Sequence, residues 1–309
     1  MKVTVLSGGV GGARFLRGLV DVVDPRDVSI IGNVGDDVEV LGLHISPDLD
    51  SILYTLTGLA DDERGWGRAD ETWRALATVA ELGGESWFRL GDRDIGLHLV
   101  RTQMLREGAA LSEVTERLAH ALGLQAALLP ATDDPLRTFL ETPAGTLPFQ
   151  TWFVARGHRD EVDDVHFVGS PDAAPAPGVL EALADADLIV IAPSNPYVSI
   201  GPILAVGEIR GALRSRQVPC VAVSPLVGGR AVKGPADRML ARLAGGTEPS
   251  HVASCYDVLI DVLVVDELDA PAQPLAGLGG TIVTETLMTD AAAARRLAAA
   301  TVHAPEALA

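Results

Sequence analysis

Lysine is almost absent from this 309-residue chain: Lys2 and Lys233 are the only two. Cationic chemistry therefore rests on arginine, and basic groups of either kind are few, 24 Lys and Arg against 42 Asp and Glu, for a formal net charge of −18. A chain this acidic repels a phosphate backbone on average, so nucleic acid is not an expected partner. Any phosphorylated ligand must be met by local cations and main-chain N–H groups. Cysteine is as scarce. Cys220 and Cys255 can build neither a disulfide framework nor a zinc site, and they suit a reducing cytoplasm. No stretch approaches the roughly 20 apolar residues of a membrane span. Met1 leads directly into the strand-like run Lys2–Leu6, with no basic and apolar leader, so neither membrane insertion nor export is expected. A Gly-x-x-x-x-Gly-Lys-Ser/Thr loop is also missing, which excludes a P-loop nucleotidase.

What the chain does have is apolar material: 48% hydrophobic and 21% charged residues, with a mean hydropathy of +0.25. That composition supports a real core at this length. Apolar runs of strand length alternate with segments of helical period, which predicts an α/β fold, a Rossmann-like doubly wound and mostly parallel sheet. One unit reads strand Val3–Leu6, glycine loop, helix Ala13–Val23, turn Asp24-Pro25, strand Val28–Ile31. A second reads strand Leu188–Ala192, loop Pro193–Pro196, helix Gly201–Leu213, strand Cys220–Ser224, loop Pro225–Pro235. Between them, a helical stretch from about Glu71 to Leu122 and a β-hairpin, Arg137–Thr142 with Thr146–Val154, read as an insertion at about 60–170 in a single domain spanning 1–309. Ser170–Pro177 is linker-like, and Ala291–Ala300 reads as a covering helix.

Five segments carry candidate chemistry. The first, Ser7-Gly-Gly-Val-Gly-Gly-Ala-Arg14, places Gly8, Gly9, Gly11 and Gly12 between a strand and a helix, where main-chain N–H groups can approach an anionic oxygen. The dinucleotide fingerprint is broken twice, because Arg14 takes the third glycine position and the second strand ends in Asn33 rather than an acid. The second is acidic: Asn33-Val-Gly-Asp-Asp37, then Ser46-Pro-Asp48-Leu-Asp50. Helix capping explains one of these carboxylates, but four in succession favour a counter-ion, and oxygen donors without cysteine suit Mg²⁺ at Asp36 and Asp50. His44 beside them reads as structural. In the second half, Pro193-Ser194-Asn195-Pro196 and Gly228-Gly-Arg230-Ala-Val-Lys233 are rigid or glycine-rich loops able to meet a base or a diphosphate, or simply to pack. Trp87-Phe-Arg89-Leu-Gly-Asp92 offers a stacking surface and an arginine fork, with an exposed salt-bridged turn as the alternative.

In this order, Ser7–Arg14, Asn33–Asp37, Ser46–Asp50, Leu90–Asp94, Ala192–Ile203, Ser224–Asp237 and Leu287–Asp290 resemble the 2-phospho-L-lactate transferase family, which assembles the deazaflavin coenzyme F-420 of methanogens and actinobacteria. The resemblance spans almost the whole chain. It implies a Rossmann-like core and a reaction in which a guanosine-diphosphate-activated phospho-acid is attacked by the ribityl hydroxyl of 7,8-didemethyl-8-hydroxy-5-deazariboflavin, releasing GMP. It further implies that Asp50 holds that hydroxyl as base or through Mg²⁺, and that Arg89 contacts the deazaflavin. Asp36 is the next metal ligand. The guanosine diphosphate portion would lie on Gly8, Gly9, Gly11, Gly12, Ser194 and Asn195, with Arg230 and Lys233 nearby, in a homodimer. Archaeal members read Gly-Gly-Thr-Gly-Thr-Pro-Lys in the first loop; the run here looks like the bacterial branch, which favours an enolpyruvyl over a lactyl donor. The alternative within the same superfamily is a non-enzymatic regulator that binds a sugar nucleotide and lacks the deazaflavin pocket.

Overall fold

The computed structural model describes residues 1–308. The chain runs β1 (Val3–Ser7), α1 (Gly9–Leu19), β2 (Val28–Gly32), β3 (Val38–Val40), β4 (Leu43–Ile45), α2 (Pro47–Leu56), α3 (Arg74–Glu81), α4 (Asp92–Arg106), α5 (Leu111–Ala121) and β5 (Ala127–Pro130). It continues through β6 (Arg137–Thr142), β7 (Gly145–Pro148), β8 (Asp164–Val168), α6 (Val179–Ala184), β9 (Leu188–Ile191), α7 (Gly201–Ala205) and α8 (Gly207–Ser215). The last elements are β10 (Cys220–Val223), β11 (Leu226–Val227), β12 (Arg230–Ala231), α9 (Ala236–Leu243), α10 (Pro249–Ser254), β13 (Val262–Asp266), β14 (Gly280–Thr284) and α11 (Ala291–His303). No helix among the described residues is long and apolar enough to cross a membrane.

Seven strands form one sheet in the order β14-β13-β10-β9-β1-β2-β5, every neighbouring pair parallel. Helices cover both faces of such a sheet, so its strands read as unbroken apolar runs: β1, β9, β10 and β13 are buried at every residue. The order grows outward from β1 in one direction through β2 and β5, and from β9 in the other. Adjacent β1 and β9 therefore send their following loops apart, creating the crevice where open α/β sheets hold ligands.

Differences from the sequence reading have local causes. Helix α1 starts at Gly9 rather than Ala13, because Gly9 at φ +68° turns the chain directly out of β1. The segment expected as helix Gly201–Leu213 is interrupted at Val206, whose ψ of 103° is extended. The second hairpin arm ends at Pro148. Beyond it a helical turn, Thr151–Ala155, buries Trp152 and lets its indole N–H donate to the Asp160 carbonyl at 3.1 Å. A third strand, β8, joins that hairpin along β6. Strand β5 returns to the main sheet beside β2, so chain lying outside the sheet comes in two stretches on either side of it.

Helix α1 presses Phe15, Leu16 and Leu19 into the core and meets α11 at Gly18. A Cβ there would collide with the Ala294 carbonyl group, main chain that cannot rotate aside. Gly18→Val should therefore destabilise the fold by about 1–3 kcal/mol in urea denaturation, the range for overpacking. A loss below about 1 kcal/mol would show that α11 shifts freely.

Candidate active site

At the crevice the two halves are stitched together by one hydroxyl. Ser194 Oγ donates to the Gly8 carbonyl at 2.7 Å and accepts from the Gly8 N–H at 3.3 Å, joining the loop after β9 to the loop after β1. Asn195 is similarly committed: its Oδ1 accepts from Tyr197 N at 2.9 Å and its Nδ2 points to Met239 Sδ at 3.4 Å. Gly11 and Gly12 lie in the first turn of α1 against Pro193 and Ser194. The glycine run and the Ser194-Asn195 segment thus form one surface, as the sequence placed them, with Ser194 acting chiefly as its staple.

Below that surface the acidic loop closes. Asn33 Nδ2 donates to Asp48 Oδ2 at 2.9 Å, to Asp36 Oδ1 at 3.2 Å and to the Val198 carbonyl at 3.2 Å, while its Oδ1 accepts from Gly35 N at 2.7 Å. Ser46 and Pro47 start α2 and put Asp48 in its first turn, buried directly against Gly8, where any Cβ would strike the carboxylate. Burial, then the Asp48 and Asp37 charges, raise Asp36 well above the usual carboxylate range. Burial likewise pushes Asp48 up to about 6, partly countered by its bonds from Asn33 and the Gly9 N–H. Asp37 accepts from Ser46 Oγ at 2.8 Å and lies 2.9 Å from His44 Nε2, with its Oδ1 buried and unpartnered. His44 so has the structural place expected of it.

Asp50 faces elsewhere. The buried guanidinium of Arg101, on α4, grips both its oxygens: Nη1 donates to Oδ2 at 3.0 Å and Nη2 donates to Oδ1. His98, one turn earlier on α4, lies 3.1 Å from the same guanidinium and is pushed down by burial to about 4, so it is neutral at pH 7. Asp36 and Asp50 were expected to share a cation; it is Asp48 that shares a hydrogen-bond donor with Asp36. Sequence reading named Asp48 in the acidic run without choosing it as a metal ligand, and gave no role to Arg101 or His98.

The donor set fits a hard divalent ion. Two buried carboxylates on one amide cannot both ionise without a cation, and the orphaned Asp37 oxygen adds to the excess of acceptors. Among the described residues no three His, Cys, Asp or Glu side chains make a ready cage.

The remaining expected contacts lie around the rim. Arg89, exposed just before α4, stacks its guanidinium 4.9 Å from the Trp73 ring centroid. Arg230 is exposed at the β11–β12 turn. Lys233 follows that turn and reaches Gly65 across the rim, its Nζ donating to the carbonyl at 2.6 Å.

The family model described as 2-phospho-L-lactate transferase CofD matches residues 3–304. The chain belongs to this family. CofD relatives include a phosphoenolpyruvate transferase of Kitasatospora aureofaciens, 44% identical over 307 residues and covering 96% of each chain. Another, from Streptomyces coelicolor, is 43% identical over 306 residues, again with 96% of each chain. A crystal structure of a Bacillus halodurans protein agrees with a TM-score of 0.65 at 20% identity, covering 97% of this chain and 99% of its own, a likeness of fold. Family membership places the chain among the transferases of F-420 biosynthesis.

The raised Asp48 gives a pH test. Its protonated form is favoured in the folded protein, so its contribution is fully present below about pH 4 and is lost as pH rises through about 6. Asp48→Asn should therefore gain stability over wild type between those values, by up to about 3 kcal/mol at neutral pH without metal. Melting temperatures of both proteins across pH 4–7.5 in a chelator check this; a constant difference would refute it.

Proposed function

We propose that this chain transfers enolpyruvyl phosphate from a guanosine-diphosphate-activated donor to the ribityl hydroxyl of 7,8-didemethyl-8-hydroxy-5-deazariboflavin. The ribityl oxygen forms a bond to the acid-side phosphorus, the bond from that phosphorus to the bridging oxygen breaks, and GMP leaves. The observation carrying this reading is the Asp36–Asn33–Asp48 cluster seated against Gly8, a phosphate-approaching turn and a cation-seeking pair of carboxylates on one spot. The names of the relatives, 42–45% identical, favour enolpyruvyl over lactyl.

Phosphoryl transfer depends on alignment and on neutralising charge. Asp36 and Asp48 are the residues to hold Mg²⁺, which would offset the negative charge of the diphosphate when bound. The N–H groups of the glycine run orient the phosphates. Asp50 accepts the ribityl hydroxyl's hydrogen bond and then its proton. Arg101 occupies only part of the acceptor capacity of that carboxylate, and its rigid fork fixes the direction of the rest. Arg89, already stacked on Trp73, supports the flat deazaflavin ring. The reading also favours a cytoplasmic homodimer.

Incubating the chain with the deazaflavin and each guanylylated acid, and measuring GMP, tests the whole. Faster release from the enolpyruvyl donor is expected; no release from either donor overturns the proposal. Asp50→Asn should lower kcat at least about 100-fold. Asp50→Ala is the poorer probe, because it strands the buried Arg101 charge and costs about 3–5 kcal/mol of stability. Turnover of Asp50→Asn near wild type removes Asp50 from catalysis.

A further inference from the structure

Two parallel bonds do not by themselves hold a carboxylate still. A guanidinium and a carboxylate joined in this way form one flat unit, and nothing within the pair stops that unit from swinging as a whole. What settles its place is any contact that Arg101 makes outside Asp50. Its guanidinium has three bonds among the described residues: Nη1 to Asp50 Oδ2 at 3.0 Å, Nη2 to Asp50 Oδ1, and Nη1 again to His98 Nδ1 at 3.1 Å. Nε is buried without a partner. Among the described residues His98 is therefore the one anchor of the fork that is not the carboxylate itself. The same imidazole nitrogen lies 3.8 Å from Asp50 Oδ2, too far to bond the carboxylate directly, so it acts on Asp50 through Arg101.

The anchor is itself anchored. His98 and Arg101 lie one turn apart on α4 with Asp94 a turn before them, and all three are buried. Glu71 fixes the start of that helix, its carboxylate accepting from the N–H groups of Arg93 at 2.8 Å and Asp94 at 2.9 Å. Further along, Thr102 Oγ1 accepts from His44 N at 2.8 Å and ties α4 to β4. A helical residue has few rotamers open to it, so a helix held at both points holds the imidazole as well. Asp50 stands on another element, α2, and takes its reference across the interface.

The contact works in one protonation state only. A guanidinium donates and never accepts, so the nitrogen facing it must carry a lone pair. His98 is then neutral, with Nδ1 bare and its hydrogen on Nε2. Burial favours the same neutral form. We propose that His98 is a positioning residue for the transfer: its bare Nδ1 fixes the rotation of Arg101 and, through Arg101, the direction in which Asp50 meets the acceptor hydroxyl. The positioning rests on the role given to Asp50 in the transferase reading above.

Two measurements test it. The nitrogen NMR spectrum of the wild-type imidazole, assigned by its loss in His98→Asn, should show a bare Nδ1 and a protonated Nε2 at neutral pH; a proton on Nδ1 overturns the proposal. Turnover reads the consequence. His98→Asn keeps an acceptor oxygen where Nδ1 stands, whereas His98→Leu has none. Because misplacing a reacting group by about 1 Å costs about 100-fold, His98→Leu should lower kcat at least about tenfold with the acceptor KM within about twofold, and His98→Asn should stay within about threefold of wild type. In an Asp50→Asn background His98→Leu should add nothing, since the carboxylate it aims is gone. A merely structural role would lower the melting temperature of both variants and leave kcat per folded molecule unchanged. If His98→Leu keeps kcat within about twofold of wild type, or His98→Asn is as slow as His98→Leu, the positioning is overturned while GMP release by wild type still upholds the transferase reading. If wild type releases no GMP, both fall. The spectrum needs only the wild-type fold and His98→Asn, so it decides the matter even where His98→Leu does not fold.

Discussion

A single side-chain amide fixes the geometry on which the rest of the rim depends. Asn33 Nδ2 is shared by Asp36 from its own loop, Asp48 from α2 and the Val198 carbonyl from the opposite half of the sheet. Segments more than 160 positions apart thus meet on one nitrogen, and two buried carboxylates are kept where mutual repulsion would otherwise part them. The end of this strand is where dinucleotide-binding sheets carry an acid for a ribose. An acid here would add a third negative charge and remove the only shared donor. The broken fingerprint at Asn33 is therefore the condition for an acidic pocket.

The sheet was legible because parallel strands covered on both faces leave uninterrupted apolar runs, and β1, β9 and β10 have them. The glycine run announced the crevice for the same kind of reason, since strand, glycines and helix in succession leave few places for the chain to go. Less legible was the division of labour between Asp48 and Asp50. Residues two apart on a helix point about 200° apart, so one carboxylate must face the glycine run and the other must turn away. That much could be read from spacing. Which faced which could not, because the partner of Asp50 lies 51 positions later.

Helix α4 hid that partner by inverting the usual pattern. His98 and Arg101 are buried while Leu99 and Val100, between them, are 54% and 45% exposed. A periodicity argument assigns the apolar pair to the core and the charged pair to water. Burying Arg101 is tolerable only because Asp50 neutralises it and His98 stays uncharged beside it. Such a pair contributes little net stability. What it supplies is direction, since a carboxylate gripped by a planar fork has few orientations left.

The net charge of −18 does not decide the electrostatics of the rim, for a related reason. At physiological ionic strength a charge on the surface is felt over about 8 Å, so most of the 42 acids lie beyond reach of the rim. Local balance decides, and the local groups fall into two tiers. Below the glycine run stand Asp36 and Asp48, a cation's worth of negative charge that is buried and unpaired. Above it stand Arg14 and Lys233, which make no ion pair among the described residues and meet at Gly65. Had the two tiers been in contact they would have cancelled as ordinary salt bridges. The glycine run lies between them, with Gly8 against the Asp48 carboxylate on one side and the helix that carries Arg14 beginning within it. A Cβ at Gly8 would strike the Asp48 carboxylate, and one at Gly11 or Gly12 the Pro193 carbonyl or Ser194 Oγ, which is why the run is glycine there.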